Sequence, residues 1–205
     1  MFNSMKWLNE PPKWQDTGDS LTLHTALETD FWRETHYGFI RDSGHFFYRE
    51  VTGDFTVAVT FSGDFTTLYD QAGLMIRANE RTWVKAGVEY SDGALQLSTV
   101  VTNGTSDWSL RPLASSSSNE VTLQLSRQAN AIHVTYLEPQ GPGARWSSLR
   151  LAYLPLEDRP CQAGIMACSP TRADLRVDFT DFRINPSHGI DLHPDDGHGP
   201  ATSDN

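Results

Sequence analysis

The 205-residue chain has little sulfur, no block of basic residues and no long apolar run. Each shortage removes a class of protein. Two cysteines, Cys161 and Cys168, are too few for the disulfide framework that staples small secreted domains. They flank a probable strand in CQAGIMAC and are expected first as inert core thiols, then as a disulfide, and last as metal or redox groups. Lys and Arg number 16 against 26 Asp and Glu, a formal net charge of -10. A chain of that charge has no broad field to condense on phosphate backbones, so no nucleic-acid partner is expected. No window approaches the roughly 20 apolar residues of a bilayer span. The opening MFNSMKWLNEPPKW lacks the apolar core of a secretory signal, so the expectation is a soluble, cytoplasmic protein without a membrane partner.

What is present is alternation. Hydrophobic residues make up 38% of the chain, enough for a core when patterned, and the length argues for one domain. In Phe55-Thr56-Val57-Ala58-Val59-Thr60-Phe61, four large apolar groups share one face of a strand. The same two-residue period runs through Ala72, Leu74 and Ile76, then Val84, Ala86, Val88 and Tyr90. After the turn signal Ser91-Asp92-Gly93 it resumes at Leu95, Leu97, Thr99 and Val101, which predicts a hairpin. Further segments are Val121–Leu125, Ile132–Tyr136, Leu149–Tyr153, Ala163–Ala167, Val177–Phe179 and Phe182–Ile184. Leu110–Asn119, with Pro112 and four consecutive serines, reads as a loop. Many short strands and no amphipathic helix predict an all-β, two-sheet antiparallel sandwich, with a barrel as the nearest rival. Residues 1–186 form the expected domain. Residues 187–205 read as an acidic, histidine-containing tail, where His188, His193 and His198 supply no rigid metal geometry.

One face of the central strands carries the chemistry. Arg77, Lys85 and Glu89 are expected to project from neighbouring strands into one hollow, with Val84, Ala86 and Val88 pointing inward; Asp70 and Gln71 lie at the entrance. The alternative is a plain solvated face with cross-strand pairs. Aromatic groups add flat surfaces suited to the C–H faces of sugars, with Trp108 in Ser106-Asp107-Trp108-Ser109 the first choice, Asp107 beside it, and Trp32 and Tyr69 next. His36, Asp42 and His45 match no metal-ligand spacing and read as a loop-anchoring network. No metal and no cofactor are expected. No G-x-S-x-G elbow, P-loop or dinucleotide fingerprint occurs.

The segments DFWRETHYGFIRDSGHFFY (30–48), TGDF (52–55), LYDQAGLMIR (68–77), WVKAGVEYSDGALQLSTVVTNGTSDWS (83–109) and AGIMACSP (163–170) together resemble the domain of unknown function 1349 family. That family is also called "regulation of enolase protein", within the concanavalin A-like lectin/glucanase superfamily. The resemblance spans most of residues 8–186. It implies a jelly-roll sandwich with one curved sheet, and carbohydrate or polyol binding on it, but supplies no catalytic residues. Glucanase relatives carry Glu-x-Asp-x-Glu on one strand; here Glu89 is flanked at two-residue spacing by Gly87 and Ser91. Asp70 and Glu89 are the best remaining acid pair. Three readings follow: a non-catalytic binder of carbohydrate or polyol using Trp32, Tyr69, Asp70, Gln71, Arg77, Lys85, Glu89, Asp107 and Trp108; a weak or unusual glycoside hydrolase using Asp70 and Glu89; and a protein-interaction domain regulating a metabolic enzyme. Homodimerisation through sheet edges is a further partner option.

Overall fold

In a computed structural model, residues 2, 4–113, 120–138, 145–157, 159–187 and 189–192 are described. Residues 193–205 of the proposed tail, with His193 and His198, lie outside them, as does His188. The strands form two seven-stranded antiparallel sheets and one two-stranded ribbon. The front sheet runs in the order β1 (Lys6–Leu8), β6 (His45–Val51), β15 (Cys161–Cys168), β8 (Gln71–Asn79), β9 (Thr82–Ser91), β10 (Ala94–Asn103) and β11 (Thr105–Pro112). The back sheet is β14 (Arg145–Tyr153), β13 (Ala131–Glu138), β12 (Val121–Gln128), β7 (Phe55–Gly63), β16 (Arg176–Pro186), β3 (Ser20–His24) and β2 (Lys13–Asp16). The ribbon pairs β4 (Phe31–Arg33) with β5 (Ile40–Asp42).

The alternation of β7 is realised as read. Phe55, Val57, Val59 and Phe61 are buried between the sheets. Thr56 and Thr60 face outward and join the hydroxyls of Ser126 and Thr122 on β12, at 2.8 and 2.9 Å. Leu74 and Ile76 of β8 and Val84, Ala86 and Val88 of β9 meet the back sheet in the same core. The β9–β10 hairpin turns at Asp92 and Gly93, whose φ angles of 52° and 76° suit the tight two-residue turn that Asp-Gly favours.

Two departures from simple alternation have a common cause. Val177 and Phe179 point inward, and so do Phe182 and Ile184, although the parity changes between them. They belong to one strand, β16, whose register slips between Thr180 and Arg183; Asp181, at φ 51°, is the extra residue. A bulge of this kind exchanges the faces of everything beyond it. On β14 the register shift opposite Val134 and Thr135 leaves Leu149 against the core but turns Leu151 and Tyr153 outward, 50% and 66% exposed. Residues 110–112, read as loop, complete β11 against Gln96–Ser98; residues 114–119 lie outside the described part.

Cys161 and Cys168 are both free and buried. Seven positions apart on one strand, they lie roughly 23 Å from each other at strand rise and on opposite faces, so no disulfide can join them. Burial pushes both thiols above the ordinary cysteine range.

Candidate functional site

The outward face of the front sheet is not bare. Register places Gln71, Gly73, Met75 and Arg77 of β8 beside Glu89, Gly87, Lys85 and Trp83 of β9, and Lys85 beside Val100, which pairs in turn with Trp108. Gly73 and Gly87 face each other where the strands approach closely: a Cβ on Gly87 would run into the carbonyl oxygen of Ala72, and one on Gly73 into that of Ala86. The β4–β5 ribbon lies over part of this face. Phe31 and Trp32 pack there with Phe46, Tyr48, Met75, Trp83, Val100 and Met166 in a second apolar cluster, distinct from the one between the sheets.

Two clips hold the ribbon down. Arg33 donates through Nε to the Gly104 carbonyl at 2.9 Å, and its backbone N–H reaches Ser106 Oγ at 2.9 Å. Arg77 grips Asp42 with both terminal nitrogens, at 2.7 and 2.9 Å, and its guanidinium lies over the Phe31 ring. Arg77 therefore shares the face of Lys85 and Glu89, as read from the sequence, but does not share their hollow. Its charge is spent on fastening the ribbon.

Beside the ribbon the face opens into a cavity of about 290 Å³. Gln71, Lys85 and Glu89 form its polar floor; Trp32 and Tyr37 from the ribbon, Tyr69 from the β7–β8 loop and Trp108 from β11 line its walls. Lys85 is buried, and its ammonium donates to Asp30 Oδ1 at 3.1 Å and to Gln71 Oε1 at 2.7 Å. Burial alone would favour the neutral amine, but the nearby negative groups, Asp30 first, outweigh it and hold Lys85 above the ordinary lysine value. Glu89 receives Ser98 Oγ on Oε2 at 3.1 Å, and Ser98 Oγ in turn accepts the Trp108 indole N–H at 3.2 Å. Burial raises the Glu89 carboxyl above its usual range, with Lys85 and Ser98 opposing the shift only in part. An ammonium has three donors and Lys85 uses two of them within the protein; a carboxylate has about four acceptor sites, and Glu89 keeps capacity in reserve. Spare donor and spare acceptor therefore meet on one floor.

The remaining sequence candidates lie elsewhere. Asp70, proposed as one of an acid pair, is 0% exposed. Its carboxylate takes Arg172 Nε and Nη2, Ser169 Oγ, and the backbone N–H groups of Thr66 and Thr67. Burial would raise its pKa, but Arg172, Ser169 and the two amides overcome that and lower it. Asp70 does not line the cavity, so the Asp70/Glu89 acid pair is corrected to one cavity-lining group and one structural clamp. Asp107 points away from the cavity and pairs with Arg150 of the back sheet at 3.1 Å; alternate residues of a strand take opposite faces, and Trp108 next to it has the inward one. His45 accepts the Ala26 N–H and reaches the Asn9 carbonyl, while Asp42 holds Arg77. Neither gathers with His36 around an ion, and no cluster of three or more metal-ligating side chains occurs among the described residues.

Sequence reading missed Asp30, Tyr37, Phe39 and Arg41, all of which line the cavity. The ribbon that carries them is built from two three-residue strands, too short for periodicity to register.

Among curated relatives, "Regulation of enolase protein 1" of Saccharomyces cerevisiae is 39% identical over 187 residues, covering 91% of this chain and 92% of the relative. A crystal structure of a functionally unknown protein from Saccharomyces cerevisiae matches with a TM-score of 0.83 at 38% identity, over 90% of this chain and 97% of that one. A mutant of the GH43 protein BlXynB from Bacillus licheniformis shares the fold at a TM-score of 0.66 and 14% identity. That match takes in 89% of this chain but only 37% of that one. The model of the family described as "Protein of unknown function (DUF1349)" matches residues 7–187, and with the sandwich, the ribbon and the cavity in place the chain is shown to belong to that family.

Proposed function

We propose that the protein binds a neutral carbohydrate or polyol in the cavity on its front sheet. The observation that carries this reading is the floor: a buried, nearly charge-balanced set of Gln71, Lys85 and Glu89, with Asp30 on Lys85. A hydroxyl both donates and accepts, so two adjacent hydroxyls can accept a hydrogen bond from the unused Lys85 N–H and donate one to Glu89. Indole and phenol walls suit the C–H faces of a sugar ring, and Trp108 and Tyr37, 40% and 45% exposed, are the accessible ones. Hydrolysis by Asp70 and Glu89 is not part of the proposal, because only Glu89 faces the cavity. The test is titration of the protein with monosaccharides, alditols and short oligosaccharides, followed by indole fluorescence and calorimetry. Trp108→Ala is expected to weaken binding at least tenfold with an unchanged melting temperature, and Glu89→Gln to weaken it by about the worth of one hydrogen bond to a charged group, roughly 1.5–3 kcal/mol. Binding that survives both substitutions undiminished rejects the site.

A second reading, regulation of a metabolic enzyme through protein contact, draws on the name of the 39%-identical yeast relative and on the outward Leu151 and Tyr153 of edge strand β14. Co-sedimentation with purified enolase, lost in Leu151→Glu/Tyr153→Glu and kept in Trp108→Ala, would favour it over the first.

A further inference from the structure

We infer that the cavity is closed at one end and receives the terminal unit of a saccharide, or a free monosaccharide or alditol, rather than the interior of a chain. This rests on the carbohydrate reading above and adds to it the part of the ligand that is recognised. The volume, about 290 Å³, is at the small end of ligand cavities and offers room for a unit, not a strand.

The walls explain why the space ends. One is the ribbon, held by the Arg33 and Arg77 clips, with Tyr37 in the loop between β4 and β5. The other is the β7–β8 loop with Tyr69, held to the segment after β15 by the Asp70–Arg172 clamp and by Thr171 Oγ1 on the Leu68 carbonyl at 2.8 Å. The two walls meet: the hydroxyls of Tyr37 and Tyr69 are hydrogen-bonded at 2.9 Å. That bond, and burial with it, pushes the Tyr69 phenol up to about 12. Tyr69 has a φ of 66°, a backbone state an aromatic residue enters only when its surroundings over-determine it, and the Asp70 clamp one residue along does so. Trp108 sits on edge strand β11, three inter-strand spacings or roughly 14 Å across the sheet from β8. A ligand that enters past Trp108 stops against the tyrosine bridge, and an internal stretch of polymer has no exit there.

The experiment is chain-length dependence. The full chain is titrated by calorimetry with linear gluco-, xylo-, manno- and fructo-oligosaccharides of two to six units, and with their monosaccharides and alditols. The expected result is a series whose affinity changes less than fivefold from two units to six, with the free end unit competing for the site. A rise of fivefold or more along the bound series overturns the terminal-unit inference while leaving carbohydrate binding intact. Absence of binding by every saccharide and alditol overturns the carbohydrate reading itself, and this inference with it.

Discussion

Strands β8 and β9 show two faces of one sheet built on different terms. Toward the back sheet they present Leu74, Ile76, Val84, Ala86 and Val88, all in one apolar core. Toward the ribbon they present Gln71, Arg77, Lys85 and Glu89 with Met75 and Trp83, and these too are buried. Burial on the first face is favourable by itself, at about 25 cal/mol per Å² of apolar surface removed from water. Burial on the second is costly unless each polar group finds a partner. The ribbon and its Asp30 and Asp42 supply two of those partners, and where the ribbon stops, partners run short and a cavity with spare hydrogen-bonding capacity remains. One face makes the fold. The other has the chemistry.

The sharpest way to break this comparison is to push the two strands apart for both faces at once. Gly87→Val places a side chain against the Ala72 carbonyl and is expected to cost about 4 kcal/mol or more, enough to prevent soluble expression or to abolish cooperative melting. Next in size is Leu74→Ala, confined to the inner face: roughly 2–5 kcal/mol of stability lost in urea unfolding, with any saccharide binding retained. Asp70→Asn follows. It removes the partner of Arg172 and should cost about 3 kcal/mol, discounted from the fully buried case because Arg172 is partly exposed. The Asp70 pKa is depressed in the fold, so its contribution is present above the ordinary carboxylate value and is lost as pH falls through the folded value. The acid limb of the wild-type stability curve should therefore flatten in Asp70→Asn.

Two smaller effects sharpen the contrast. Glu89→Gln is expected to raise the melting temperature by about 2–4 °C at pH 7, the shift that 1 kcal/mol gives in a chain of this size. The Glu89 pKa is raised by folding, so its favourable term holds below the ordinary glutamate value and is lost as pH rises through the folded one; the gain should vanish near pH 4. A gain that is equal at both pH values would mean that Glu89 is not held against its charge. The smallest effect belongs to His45. Burial lowers its pKa despite the Asn9 carbonyl, so its stabilisation is complete above about 6.5 and is lost as pH falls through the folded value. Histidine titration by NMR should find its pKa below the ordinary histidine value.

The inner face was legible residue by residue. A two-residue period with large apolar groups has one low-energy solution, a strand against another layer, and β7, β8, β9 and β10 follow it. Legibility failed at the β13–β14 irregularity that turns Leu151 and Tyr153 outward, whereas across the parity change at Asp181 Phe182 and Ile184 were still read as core. It failed also at the ribbon, where three residues per strand carry no period. On the outer face the sequence put Arg77, Lys85 and Glu89 together with Gln71 at the entrance; register does place all four on one face, but Arg77 lies outside the hollow. Which charged group would be consumed by which partner was another matter: Arg77 by Asp42, Asp70 by Arg172 and Asp107 by Arg150 are joined across 35, 102 and 43 positions of chain.

Strand identity and facing in β7, β8, β9 and β10 are local consequences of side-chain periodicity, and the sequence determined them alone; that the sheets stack as a sandwich rather than close into a barrel was decided by long-range strand pairing. Whether a polar side chain ends as a fastener or as part of a binding surface depends on what the rest of the chain brings within about 3 Å of it. Hydrogen bonds and ion pairs are short-ranged and directional, whereas the segments that make them here are distant in sequence, so only the tertiary structure could decide it.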